Sequence, residues 1–203
     1  MTFKPLPLIS AALMAASLLL AGCKDAPNAA AVKAASTPVS IAAIAAESKG
    51  FTVGSPMSTR TVYVFFDAQC PHCVALWEAA KPLKSQAKFV WIPVGILNPA
   101  STAQGATLLA AADPVAAMNE HETSMQAKKA ASAQGSNIDA QKTDVAKNTE
   151  LHGRFGFTSI PTIVGTHAQT GALVAQEGAM PTPALAALLG LQVPAGQPGT
   201  PAK

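Results

Sequence analysis

Six β-branched or aromatic residues in a row, Thr61–Phe66 (TVYVFF), lead through Asp67-Ala68-Gln69 into Cys70-Pro71-His72-Cys73 and then VALWEAAKPL. A run of that length and composition is a buried strand. Asp67-Ala68-Gln69 makes the turn out of it. Pro71 suits an early helical position, where its missing N–H costs nothing. Val74, Trp77 and the Ala79-Ala80 pair fit one helix face, and Pro82 should kink or end that helix. The two cysteines therefore sit at a strand-to-helix junction.

That placement has chemical meaning. A helix start carries unpaired N–H groups and partial positive charge, which favour thiolate over thiol at Cys70. His72 adds positive charge or a hydrogen bond to the same sulfur. A stabilised thiolate favours the reduced form and makes the disulfide more oxidising. Cys70, nearer the turn, is the expected exposed nucleophile, and Cys73, one turn on, the buried resolving thiol. A structural disulfide is a poor alternative, because a four-residue loop gains little from closure. Zinc needs about four ligands, and only this pair and scattered histidines are on offer, so no metal or organic cofactor is implied. Asp67 either caps the helix or assists proton transfer beneath Cys73. Trp77, Met118 and Met125 read as packing. His121, His152 and His167 read as solvated surface residues.

The third cysteine has a separate context. Lys4 precedes an apolar stretch, Leu6–Ala21, that is shorter than the roughly 20 residues a membrane span needs. It ends in Leu20-Ala21-Gly22-Cys23, which resembles the lipobox of bacterial lipoproteins. The resemblance implies removal of residues 1–22, lipidation of Cys23 and a membrane anchor in the cell envelope. Lys24, with no Asp directly after Cys23, leans the sorting toward the outer membrane. Residues 23–50 read as lipidated cysteine plus flexible tether, with Ile41–Ser48 a possible short helix. The full chain has a net charge of +3, and loss of the leader with its single Lys4 leaves +2. With no basic run longer than Lys128-Lys129 and 5% aromatic residues, nucleic-acid binding has little support.

Downstream, LHGRFGFTSIPTIVG (residues 151–165) reads as a helix end, a turn and a strand opened by Pro161. Lys88–Ile96 is a second core strand. Leu108, Leu109, Ala112, Val115 and Met118 recur at helical spacing. Gly135-Ser136 interrupts, and Asp139–Glu150 resumes a helix. Thr170-Gly171 marks a hairpin between Thr162–Thr166 and Ala172–Gln176. Pro183–Leu189 is a final helix, and residues 193–203 read as a disordered tail.

A strand, Cys-Pro-His-Cys at a helix start, a proline within that helix, and a distant Gly156-x-x-x-Ile160-Pro161-Thr162 strand together resemble the thioredoxin superfamily. Asp67, Trp77, Pro82, FVWIPVGILNPAS and GATLLAAADPVAAMNEHE resemble its periplasmic DsbC/DsbG group. The resemblance implies an α/β thioredoxin-like fold over residues 51–192 with a helical insertion at about 98–150. It implies a cis Ile160–Pro161 bond beside the cysteines, with Ile160 touching substrate. It also implies a periplasmic thiol:disulfide oxidoreductase that acts on protein thiols or disulfides and is served by a membrane redox partner of DsbD or DsbB type. The DsbC/DsbG dimerisation domain has no counterpart ahead of Thr61. Pro71-His72 looks like the DsbA oxidase pair, whereas overall similarity favours isomerase or reductase work. Two other classes stand beside this one: a Cu(I) metallochaperone using Cys70 and Cys73, and a non-catalytic binding lipoprotein.

Overall fold

The computed structural model describes residues 36–127 and 137–194. The leader, Cys23 and most of the expected tether lie outside the described residues, as do Lys128-Lys129, the Gly135-Ser136 break and nearly all of the expected tail. Among the described residues no helix is long and apolar enough to cross a membrane.

Strand β2 (Thr61–Phe66) is the centre of a five-stranded sheet ordered β1-β3-β2-β4-β5. Its side chains alternate between faces. Val62, Val64 and Phe66 enter one core, Tyr63 and Phe65 the other. Burial on both sides is why the strand reads as a continuous apolar run. It pairs in parallel with β3 (Lys88–Pro93), so the chain between them must cross over. Helix α2 (Pro71–Ala80) makes the crossover, and Pro82 ends it by turning the chain into a 3-10 turn, Lys81–Leu83. Strand β1 (Phe51–Gly54) pairs antiparallel with β3, and β4 (Thr162–Thr166) antiparallel with β2. Strand β5 (Leu173–Glu177) returns from β4 through a turn in which Gly171 has φ of 68°.

The first core is aromatic. Trp77 of α2 meets Trp91 of β3 edge-on at 4.8 Å, and Phe66 lies 5.6 Å from Trp91. Such pairs add about 0.5–1.5 kcal/mol each beyond area burial. Cys70 and Cys73 belong to this cluster, and α6 (Thr182–Leu189) closes it with Leu185 and Leu189.

Among the described residues, three helices stand between β3 and β4: α3 (Pro99–Ala110), α4 (Pro114–Gln126) and α5 (Asp139–Arg154). They are the expected helical insertion. Asn98 caps α3 in a capping box and the Asp113 carboxylate caps α4, each followed by proline in the first turn.

Helix α1 (Ile41–Glu47) does more than extend a tether. Ile44 is fully buried against Tyr63, Phe65, Leu151 and Phe155, a burial worth about 1.5–3 kcal/mol. Arg154 of α5 meets Glu47 at 2.5 Å. Just beyond α1, the Asn148 side chain accepts from Lys49 N–H at 2.9 Å and donates to the carbonyls of Lys49 (2.8 Å) and Pro93 (2.9 Å). The alanine-rich composition resembles a linker, but among the described residues Val39, Ile41 and Ile44 reach the second core.

Candidate active site

Cys70 is the N-cap of α2, with φ −94° and ψ 113°, and its side chain makes no capping bond. The Cys73 N–H returns to the Cys70 carbonyl at 3.0 Å. Both residues are free thiols. Cys70 is held down to about 6, chiefly because the Cys73 thiol donates to its sulfur; the N–H groups of Cys73 and His72 and the His72 charge add to this, against the opposing effect of burial. Cys73 is driven far up, first by burial, then by its role as donor to Cys70 and by the Cys70 charge. The two thiols are thus split into a ready anion and a proton holder.

Cys70 is less open than expected: its exposure is 5%, against 1% for Cys73. The apolar side chains that pack around the helix start cover it, leaving the exposed Pro71 and His72 on the outside. Its sulfur faces a groove of about 340 Å³ bounded by Pro71, His72, Ile96, Leu97, Ser159 and Ile160. The Ile160–Pro161 bond is cis, and the Ile160 carbonyl oxygen lies 3.9 Å from Cys70 Sγ.

Asp67 does not cap α2. It is 1% exposed, and its carboxylate gathers three backbone N–H groups: Gln69 on Oδ1 at 2.8 Å, Ile96 and Leu97 on Oδ2 at 2.8 and 3.0 Å. The loop after β3 is thereby tied to the turn before the cysteines, and the half-exposed Ile96 and Leu97 form one wall of the groove. Gln69 continues the clamp, donating to Gln104 of α3 and accepting from Asn98 Nδ2 at 3.3 Å.

Two histidines expected at the surface are buried, each at 2% exposure. His121 of α4 donates from Nε2 to the Ala68 carbonyl at 2.6 Å. His152 of α5 places Nε2 3.1 Å from Thr162 Oγ1 and 3.3 Å from the Ser159 carbonyl, bracing the loop around Pro161 from below. Glu177 of β5 braces the same loop from the other side, accepting from the N–H groups of Thr158 (2.6 Å) and Ser159 (2.8 Å). Neither histidine's partner is close in sequence, which is why the expectation failed. A signal was present all the same. Val145, Asn148 and His152 recur at i, i+3 and i+7, and Met118, His121 and Glu122 at i, i+3 and i+4, and these lie on the buried face of each helix. His167 is only half-buried.

Burial lowers His152 from its ordinary value near 6.5. The folded chain keeps it neutral while the unfolded chain takes a proton below about 6.5, so this residue's contribution is complete above that pH and is lost as pH falls toward the folded-state value. A His152→Gln variant should therefore gain urea resistance on wild type between pH 7.5 and pH 5. A gap between the two that stays constant over this range would refute the assignment.

Among the described residues, no group of three or more His, Cys, Asp or Glu side chains is placed to hold a metal ion.

Residues 55–192 match the thioredoxin-like domain family. The chain is 36% identical over 141 residues to the thiol:disulfide interchange protein DsbG of Pseudomonas aeruginosa, a match covering 68% of this chain and 54% of that protein. The chain thus spans about half the length of this curated relative. The fold is shared with the catalytic domain of Proteus mirabilis ScsC (TM-score 0.57, 18% identity, 73% of this chain and 96% of that one). It is also shared with a periplasmic thioredoxin-like protein from Salmonella enterica serovar Typhimurium (TM-score 0.57, 15% identity, 76% and 97%). A strand-to-helix cysteine pair facing a cis-proline loop, on a sheet with this strand order and with a family match over more than half its length, identifies the chain as a member of the thioredoxin-like domain family.

Proposed function

We propose that this chain is a thiol:disulfide interchange enzyme of the bacterial cell envelope. The observation that carries the reading is the split between Cys70, held down to about 6, and Cys73, driven up, at the floor of a groove. The Cys70 thiolate attacks a substrate disulfide; a mixed disulfide forms at Cys70 and one substrate thiolate leaves. Cys73 then gives up its proton and attacks Cys70 Sγ. The second substrate thiolate leaves, the Cys70–Cys73 disulfide forms, and two electrons have passed to the substrate. The reverse sequence oxidises a substrate dithiol. His72 and Pro71 set the acidity and the rim. Ile160 and Pro161 offer backbone beside the reacting sulfur, and Asp67 holds the turn.

The likeness to DsbG and to a periplasmic thioredoxin-like protein supports a periplasmic site of action. The lipobox-like sequence at Cys23 supports lipid anchoring there, on the outer membrane by the Lys24 argument. Substrates would be protein thiols and disulfides, and a DsbD- or DsbB-type membrane protein would restore the pair. The reduction potential sorts the direction. A value near glutathione or above marks an oxidase or isomerase, and a much lower one a reductant.

Alkylation of the reduced protein tests the reading. The iodoacetamide rate should rise with a midpoint at about pH 6, with label on Cys70 alone. A midpoint at the ordinary cysteine value would remove the enzyme assignment.

A further inference from the structure

The loop between α5 and β4 supplies Thr158, Ser159 and Ile160 to the groove, and the Ile160 carbonyl oxygen lies 3.9 Å from the Cys70 sulfur. Side chains of other elements hold its backbone there. Glu177 of β5 takes the N–H groups of Thr158 and Ser159 at 2.6 and 2.8 Å. On the inner side the Thr162 hydroxyl donates to the Ser159 carbonyl at 2.5 Å. His152 Nε2 stands 3.1 Å from that hydroxyl oxygen and 3.3 Å from that carbonyl. A carbonyl only accepts, and the hydroxyl already directs its one proton to it. Nε2 is therefore the ring nitrogen that carries hydrogen, shared between the two oxygens.

The inner pair is sealed, with Thr162 fully buried and His152 2% exposed. The imidazole packs against the rings of Phe65 and Phe157, with centroids 5.5 and 5.4 Å away. Sheet register sets Thr162 between Phe65 of β2 and Glu177 of β5, so the inner and outer braces meet at one residue of β4. A phenylalanine would suit this aromatic setting, and burying a polar ring costs free energy unless its hydrogen is bonded. What the histidine adds is the N–H that reaches the loop.

This bracket is separate from what makes Cys70 acidic. Cys70 is held down by the Cys73 thiol, by the N–H groups of Cys73 and His72 and by the His72 charge, all from the start of α2. The ionisation of the sulfur and the shape of the facing loop are thus set by different elements.

We propose that His152 is a positioning residue for disulfide exchange with polypeptides: through Thr162 Oγ1 and the Ser159 carbonyl it fixes the loop that presents Ile160 to a peptide reacting at Cys70. This rests on the reading of Cys70 and Cys73 as an exchanging pair, and deepens it. His152 is not part of the groove lining and acts only through the loop. A peptide disulfide must lie in line with Cys70 Sγ, and a misplacement of about 1 Å costs up to about 10²-fold in rate. A small alkylating agent needs no such seat.

The test is single-turnover reduction of a short synthetic peptide closed by one disulfide, run beside iodoacetamide alkylation of Cys70, with the reduced full chain. The Cys70 thiolate attacks one peptide sulfur and the other leaves as thiolate. Cys73 then attacks Cys70 Sγ and frees the first peptide sulfur. The Cys73 proton goes to one peptide sulfur and solvent protonates the other, so two electrons pass to the peptide. In His152→Phe the limiting rate at saturating peptide should fall on the order of tenfold or more, while alkylation stays within about twofold of wild type. His152→Gln returns an N–H to the two oxygens and should recover the peptide rate to within about threefold. Thr162→Val removes the other half of the bracket and should show the same division between the two reactions. It decides the question alone if His152→Phe does not fold. A folded His152→Phe that reduces the peptide at the wild-type rate overturns the proposal. So does an equal loss in peptide reduction and alkylation, or a glutamine variant as slow as the phenylalanine one. If wild type itself leaves the peptide disulfide intact, the exchange reading falls and the inference with it.

Discussion

Cys73→Ala is expected to accumulate partner proteins in mixed disulfides through Cys70, and Cys70→Ser to accumulate none. The asymmetry follows from the placement of the sulfurs. Cys70 lines the groove, while Cys73 is nearly sealed and lies outside its lining. Once Cys70 is bonded to a partner, Cys73 is an internal thiol one helical turn away. Well-oriented internal groups act at effective concentrations of about 10⁵ M or more. External thiols at millimolar levels replace it poorly, so the mixed disulfide should persist far longer than in wild type. Cys73→Ala also removes the donor that contributes most to holding Cys70 down. The trapped species should accordingly form fastest at a higher pH than wild type needs. Acid quenching followed by non-reducing electrophoresis reads both effects. Equal yields of trapped complex in the two variants would reverse or abolish the assigned roles.

Asp67→Ala should cost about 2–4 kcal/mol of stability by urea unfolding. Three backbone N–H groups lose their acceptor together, in segments that are only partly open to water, and each stranded donor costs about 1 kcal/mol or more. Asp67→Asn keeps one oxygen and should lose roughly half as much. Because the lost bonds join the turn before Cys70 to Ile96 and Leu97, the alanine variant should also loosen the groove wall. A change below 0.5 kcal/mol in Asp67→Ala would mean that water replaces the carboxylate without cost. Asp67→Asn serves a further purpose. If it resolves mixed disulfides at the wild-type rate, Asp67 acts as a clamp and moves no proton.

The legible parts of the chain were those whose signal is local. Thr61–Phe66 names its own strand because both faces of it are buried, and Pro82 names the end of α2 because it cannot continue the ladder. Thr170-Gly171 names the hairpin because Gly171 takes the positive φ that the turn needs. What stayed hidden depends on partners far along the chain. Asp67 looks like a cap at Cys70, since nothing in the sequence says that Ile96 N–H and Leu97 N–H will arrive beside it. His121 and His152 look solvated because Ala68 and Thr162 lie on other elements. Helix α1 looks like linker because alanine dominates it, and only the burial of Ile44 reveals that it belongs to the core. The modest exposure of Cys70 was hidden for the same reason, since the groove over it is built from three separate segments.

The wall of the reactive groove is assembled across a sequence separation of 90 residues, from Cys70 to Ile160. Such long-range closure comes late as a chain orders itself. Until α2 is docked and its first turn formed, both thiols are ordinary ones, protonated at neutral pH and slow to react. Reactivity is thereby a property of the finished molecule. A nascent or unravelled copy carries two thiols no more acidic than any other unfolded cysteine.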